Sequence, residues 1–288
     1  MSSIAQSLRP TASLHGKVAI VTGAGALSGG IGNGRAAAIL LAEDGCNVVC
    51  VDLQPALAQE TVDMIRKDQK GKAIAVVADV TQAADCERVV KTALSEYGRL
   101  DILVNNVGVK GPAGSAVQVD MADFMKGLEI NVGSMVQMVK YAVPAMIPNP
   151  GQCAGSIINI SSVAGLLGGI PNLLYPTSKG AVVNMTRAMA ANHASDRIRV
   201  NCVCPGTVYT PMVYGSGPGM TDEVRRARAE KTLLGTEGTG WDVGSAVRFF
   251  SSDLCRWVTG VVFPVDGGLS AATPTQGLRM PLLAEKRA

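Results

Sequence analysis

Along the chain, short runs of β-branched and other apolar residues alternate with longer stretches whose apolar positions recur every three to four residues. This is the βαβ rhythm of a parallel sheet, in which each strand is followed by a helix that returns across one sheet face. Seven runs read as strands: Val18–Val21, Asn47–Asp52, Ala73–Val77, Ile102–Asn105, Ser156–Ile160, Arg199–Cys204 and Val261–Val265. Between them Gly34–Asp44, Leu57–Lys67, Asp85–Tyr97, Ala122–Met146, Ser178–His193 and Trp241–Phe250 carry helical periodicity. The strands are nearly all apolar rather than alternating, so both of their faces must be covered. The pattern predicts an α/β fold: a doubly wound, Rossmann-like, seven-stranded parallel sheet with helices on both faces.

Length and composition fit a single domain. The chain has 288 residues, 47% of them hydrophobic, enough to bury one substantial core. No Pro/Gly/Ser-rich stretch is long enough to link two cores, and no repeat of solenoid period occurs. Residues 15–272 make the expected domain, with an N-terminal tail at 1–14 and a C-terminal tail at 273–288. Residues 209–240 differ in character, since Gly215, Gly217, Pro218 and Gly219 precede a charged, helix-favouring run. That segment reads as a mobile cap over a site or as a static surface excursion. The 26 basic and 23 acidic residues are spread along the chain, which argues against nucleic acid or a membrane surface as partner. The start has no apolar core of secretory type and no segment reaches about 18 uninterrupted apolar residues, so a cytoplasmic location is expected. Seven irregularly spaced cysteines suggest buried thiols, with neither a disulfide framework nor a metal site. With only His15 and His193 present, the chemical base is expected to come from another residue type.

After the first strand, the segment from Thr22 through Gly23, Gly25, Gly29, Gly30, Gly32 and Gly34 runs directly into a helical stretch. Glycines there let the backbone close on a pyrophosphate, and the helix start offers it unpaired N–H groups and partial positive charge. Asp52 closes the second strand, where a carboxylate accepts hydrogen bonds from an adenosine ribose; the plainer reading is a strand-end residue capping the next helix. A 2′-phosphate would be repelled by that carboxylate, and no Arg or Lys lies between Gly23 and Gly34 to offset it. The expected cofactor is NAD.

With these features in order, the chain resembles the short-chain dehydrogenase/reductase family from about Lys17 to Ser270. The family's T-G-x-x-x-G-x-G turn is similar to the segment from Thr22, lengthened here by a few residues. Gly23 and Gly25 are then followed either by Gly30 and Gly32, flanking Ile31, or by Gly32 and Gly34; the second choice better preserves the distance to Gly45. The resemblance implies that Asp79 and Val80 contact the adenine. It also implies that Asn105-Asn106-Val107-Gly108 is the N-N-A-G segment, placing Asn105 and Gly108 at the cofactor. Pro205, Gly206, Val208 and Thr210 fit P-G-x-V-x-T, which in the family lies against the nicotinamide, and Val265-Asp266-Gly267-Gly268 looks like its closing structural turn.

Ser162, Tyr175 and Lys179 match the family's S…Y-x-x-x-K spacing, and the interval selects Ser162 over Ser161. Pro176 departs from the small residue common after the tyrosine, and a first helical turn tolerates it. Asn131 matches the asparagine that supports a water path to the lysine, or else is a satisfied polar residue at a helix kink. Oxidising an alcohol requires a base for its proton, and a free tyrosine with pKa about 10 is protonated at neutral pH. An ammonium about 4 Å away at an effective dielectric near 20 supplies about 4 kcal/mol, close to three pKa units. The oxidised nicotinamide adds positive charge, so the expected roles are Tyr175 as acid/base, Lys179 as its tuner and Ser162 as donor to the substrate oxygen; the resemblance further implies that Lys179 hydrogen-bonds the nicotinamide ribose.

Leu166, Leu167, Ile170, Leu173 and Leu174, with Met212, Val213 and Tyr214, are expected to wall an apolar pocket for a hydrophobic, cyclic secondary alcohol or ketone. The helices 122–146 and 178–193 are rich in Met, Val and Ala and suit a homotetramer or homodimer. Two other readings stand beside the dehydrogenase: an isomerase, epimerase or dehydratase that retains NAD, and a non-catalytic dinucleotide-sensing or interaction protein.

Overall fold

The computed structural model describes residues 9–68, 71–215 and 219–272. Residues 1–8 and 273–288 of the expected tails, and residues 216–218 of the cap, lie outside the described residues. The chain alternates β1 (Val18–Thr22), α1 (Asn33–Glu43), β2 (Asn47–Asp52), α2 (Pro55–Asp68), β3 (Ala73–Val77), α3 (Ala83–Tyr97) and β4 (Ile102–Asn105). It continues through α4 (Met121–Leu128), a π-helical turn at Glu129–Gly133, α5 (Ser134–Met146), β5 (Gly155–Ile160), α6 (Leu174–Asn192) and β6 (Ile198–Pro205). After β6 come the short β7 (Val208–Tyr209), α7 (Pro211–Tyr214), α8 (Asp222–Ala229) and β8 (Gly238–Thr239), then α9 (Gly240–Ser251) and β9 (Val262–Val265).

Seven strands pair in the order β3-β2-β1-β4-β5-β6-β9, and every pairing in that sheet is parallel. Period-two alternation divides each strand between two cores. Ala19 and Val21 point into the cluster that holds Ala38 and Leu41 of α1, Val62 of α2, and Val247 and Phe250 of α9. Val18 and Ile20 point into the other, with Val89 of α3, Met138 of α5 and Met189 of α6. Helices thus cover both faces, as the apolar strands required. The strand order reverses between β1 and β4, which opens a crevice at the carboxyl ends of the strands.

Three boundaries differ from the sequence reading. The stretch 122–146 is interrupted by the π-helical turn, which carries Asn131; such insertions recur at functional sites because they re-aim one side chain within a helix. The helix expected at Ser178 begins at Leu174, so Tyr175 and Pro176 belong to its first turn, where proline forfeits no intrahelical bond. Leu14, assigned to the tail, is fully buried in the core, with its N–H donating to the Asp44 carbonyl at 3.0 Å. Among the described residues, no helix is long and apolar enough to cross a membrane.

Candidate active site

The glycine loop rises from β1 and enters α1 at Asn33, with Gly32 as N-cap. That favours Gly32 and Gly34, of the two alternatives, as the second and third motif glycines. A Cβ at Gly34 would overlap the Gly23 carbonyl oxygen, so only glycine lets the helix start lie this close to the end of β1. The inserted residues are pinned by Arg35, whose guanidinium is fully buried. It donates to the carbonyls of Ala26 at 3.1 Å and Gly30 at 2.9 Å, to the Thr61 hydroxyl at 3.0 Å, and to the Glu60 carboxylate. Gly30 in turn lies against Pro211 and the Tyr214 hydroxyl of α7, and Ile31 leads from it to the N-cap.

Asp52 ends β2 with one carboxylate oxygen accepting from the Gly25 N–H at 2.9 Å and the other from the Gln54 N–H at 3.0 Å. It therefore fixes the turn that leads into the next helix and also faces the glycine loop. Asp79, after β3, accepts from the Thr81 backbone at 3.0 Å, and Val80 beside it is buried. Asn105 is buried at the end of β4 and donates to Asn159 at 2.9 Å; Asn106 crosses to β1, donating to the carbonyls of Thr22 and Gly23. These side chains tie the strand ends together around the crevice.

One cleft is lined by Asn33, Asn106, Gly108, Ser162, Tyr175, Lys179, Pro205, Gly206, Val208, Thr210, Met212 and Val213, among others. Residues distant in sequence are thus brought to one place. The turn after β5 packs onto α6 because Gly165 has no Cβ to strike the Lys179 backbone. Ser161, which with Ile160 also lines the cleft, has its hydroxyl engaged in donating to the Lys179 carbonyl at 2.7 Å. Lys179 Nζ donates to the Ile160 carbonyl at 3.0 Å and sits 5.7 Å from the Tyr175 ring centroid. Asn131 is buried, accepting from the Val109 N–H at 2.7 Å and donating to the Val109 carbonyl and to Ser178 Oγ, both at 2.9 Å.

Residues 25–270 match the family described as Enoyl-(Acyl carrier protein) reductase. A solved short-chain dehydrogenase/reductase from Burkholderia xenovorans superposes with a TM-score of 0.83 at 38% identity, covering 91% of this chain and 99% of that one. The chain is a short-chain dehydrogenase/reductase. It is also similar to 2-(S)-hydroxypropyl-CoM dehydrogenase 3 of Xanthobacter autotrophicus, at 39% identity over 90% of this chain and 98% of the relative. A solved 7α-hydroxysteroid dehydrogenase in complex with NADH and 7-oxo glycochenodeoxycholic acid matches with a TM-score of 0.80 at 33% identity, over 89% and 95% of the two chains.

Two expectations need correction in this oxidoreductase. The first concerns the tuning of the phenol. Burial pushes the Tyr175 phenol above its usual range, opposed only by hydrogen bonding from Ser162. Burial also pushes the Lys179 ammonium down to about 8, with Cys202 and Cys204 acting in the opposite sense. Lys179 gives one of its three N–H donors to the Ile160 carbonyl, and the positive charge of oxidised nicotinamide, expected to act with it on the phenol, would come only with the bound cofactor. The second concerns the apolar wall. Leu174 is fully buried against Gly111 and Gly127 and belongs to the core, and Tyr214 stacks on Tyr209 with ring centroids 4.6 Å apart. Leu166, Leu167, Ile170, Leu173 and Met212 do keep exposed apolar surface.

Sequence reasoning passed over Arg35, Asn33 and Asn106. The first was the nearest cation beyond the glycines, and the other two stood inside quoted motifs. The residues present fit a dinucleotide. Gly34 allows the close approach of loop and helix, the first N–H groups of α1 precede its first intrahelical bond from Ala36 to Gly32, and the Asn33 Oδ1 atom is buried without a partner.

Proposed function

We propose that this short-chain dehydrogenase/reductase moves a hydride between NAD(H) and a hydrophobic, cyclic secondary alcohol or ketone. The observation that carries the reading is the meeting of Ser162, Tyr175 and Lys179 in the cleft that Asn33, at the start of α1, and Asn106 also line. When bound, the nicotinamide supplies or accepts the hydride. Gly23, Gly25, Gly32 and Gly34 and the start of α1 would hold the pyrophosphate, with Gly30 and Ile31 shaping the loop. Asp52 would take the adenosine ribose, Asp79 and Val80 the adenine, and Asn105, Gly108, Pro205, Gly206, Val208 and Thr210 the remaining length towards the nicotinamide.

Tyr175 holds the proton that passes to or from the substrate oxygen. With its phenol pushed up by burial, it is protonated at neutral pH and suited to donate to a carbonyl. Alcohol oxidation needs the reverse transfer, which the positive charge of oxidised nicotinamide favours. Ser162, extended at φ −168° and capping the turn that follows β5, steadies the substrate oxygen as charge develops on it. Lys179 keeps Tyr175 in place and contacts the ribose, and Asn131 fixes the Val109 backbone beside them.

The preference for NAD rests on Asp52, whose carboxylate lies at the Gly25 N–H, and on Arg35, whose guanidinium is consumed by loop carbonyls and Glu60 and leaves no cation there for a 2′-phosphate. The apolar substrate rests on the exposed leucines and Met212, and on a likeness to an enzyme solved with an oxo steroid. A homotetramer or homodimer in the cytoplasm completes the reading, supported by the exposed Met121, Met125 and Val136 on α4 and α5. Titrating the protein with NADH and NADPH tests the cofactor assignment: tighter NADH is expected, and a clear preference for NADPH would overturn it.

A further inference from the structure

Asn33 is the first residue of α1, yet its side chain does no work for the helix. The N-cap is Gly32, and no side-chain capping bond forms there. Its Oδ1 atom is buried and finds no hydrogen-bond partner among the described residues. The same side chain lines the cleft that contains Ser162, Tyr175 and Lys179. A buried carbonyl oxygen without a donor costs the folded chain the desolvation of that group, so its presence at the wall of a reaction cleft calls for a ligand that supplies the donor.

We propose that the Asn33 side-chain amide hydrogen-bonds the nicotinamide mononucleotide half of the bound dinucleotide; this rests on the dinucleotide reading given above. The location chooses that half. Asn33 shares its cleft with Tyr175, Lys179 and Thr210, whereas Asp52 and Asp79, at the far side of the crevice, are not in its lining. The nicotinamide half offers donors of the right kind, ribose hydroxyls and a carboxamide N–H₂, and the amide of Asn33 both accepts and donates. The contact would add to backbone binding at the helix start a side-chain contribution specific to one end of the cofactor.

The test uses the purified full-length chain and two probes, NADH and ADP, each titrated by fluorescence or calorimetry against wild type, Asn33→Leu and Asn33→Ala. Both variants are expected to bind NADH about tenfold more weakly, the scale of one hydrogen bond between buried groups, and to bind ADP within about twofold of wild type. Asn33→Leu keeps the side-chain branching and removes the unpartnered oxygen, while Asn33→Ala controls for the added bulk of the methyl groups, so the melting temperature of Asn33→Leu without ligand is expected to equal or exceed that of wild type. A residue needed only for folding would instead lower the melting temperature and weaken both probes together, and that result overturns the inference. Unchanged NADH affinity in Asn33→Leu overturns it as well. Should wild type bind ADP but not NADH or NADPH, the dinucleotide reading itself falls; wild-type NADH binding with unaffected variants sinks only the role of Asn33.

Discussion

On the sheet side of the cleft, Ser161, Ser178, Lys179 and Thr186 are all buried, and each is bonded to a neighbouring strand or helix, Ser178 by accepting from Asn131 and Thr186 by accepting from Asn159. On the cap side, α8 has no buried residue at all. It is held by Glu237, which accepts from Arg225 at 2.9 Å and from Arg228, and by a stack in which the Arg225 guanidinium lies 4.0 Å from the Tyr209 ring and Tyr209 meets Tyr214. The Tyr214 hydroxyl then abuts Gly30 of the glycine loop. The proposed chemistry is therefore mounted on the buried wall, whereas the cap side hangs from a few polar and aromatic contacts. Substitutions on the first should change turnover, and substitutions on the second should change apparent affinity.

The strongest break in that contrast is Tyr175→Phe. Losing the group that carries the proton is expected to lower kcat by about 10³- to 10⁴-fold while NADH affinity stays within about twofold, read by steady-state kinetics and a binding titration. Lys179 sharpens it through stability. A lysine lowered from 10.5 to about 8 binds fewer protons in the folded chain than in the unfolded chain across that window, so stability should rise as pH climbs from 8 to 10.5. Below 8 the burial penalty is fully present. Urea unfolding of the cofactor-free protein should show wild type gaining about 3 kcal/mol relative to Lys179→Met between pH 7 and 10.5.

Ser162→Ala is expected to cost about 10² in kcat with little change in KM, because its hydroxyl acts most on charge developing in the transition state. The smallest effect belongs to the cap. Glu237→Gln weakens two charge-assisted bonds to arginines of which Arg225 is 43% exposed, so KM for an apolar substrate should rise about threefold with kcat unchanged. A fall in kcat equal to the rise in KM would mean that the cap shapes the chemistry too, and the contrast between the walls would dissolve.

Most of the architecture was legible because the apolar runs are long and uninterrupted: all seven strands of the main sheet stand within about a residue of their expected bounds. Ser162, Tyr175 and Lys179 were legible through the resemblance to the family's S…Y-x-x-x-K pattern; helical spacing by itself says only that Tyr175 and Lys179, four apart, share a face. The π-helical turn at Asn131 was not, because its apolar positions keep a helix-like rhythm while the backbone inserts one residue. Nor was the role of Arg35. A cation after a glycine loop looks free in one dimension, and only the fold brings the carbonyls of Ala26, Gly30 and Leu57 to it. The state of Tyr175 was missed for a related reason: helical spacing brings the ammonium near the phenol but says nothing of the desolvation that pushes both groups towards neutrality.

On the proposed reading the cleft transfers a hydride with Tyr175 carrying the proton. Mixing the protein with NAD and a panel of cyclic secondary alcohols, and measuring NADH against ketone, tests it directly. The prediction is one NADH per ketone for wild type and a nearly complete loss of both in Tyr175→Phe. Rearranged or dehydrated product without accumulating NADH, or wild-type turnover in Tyr175→Phe, would contradict it.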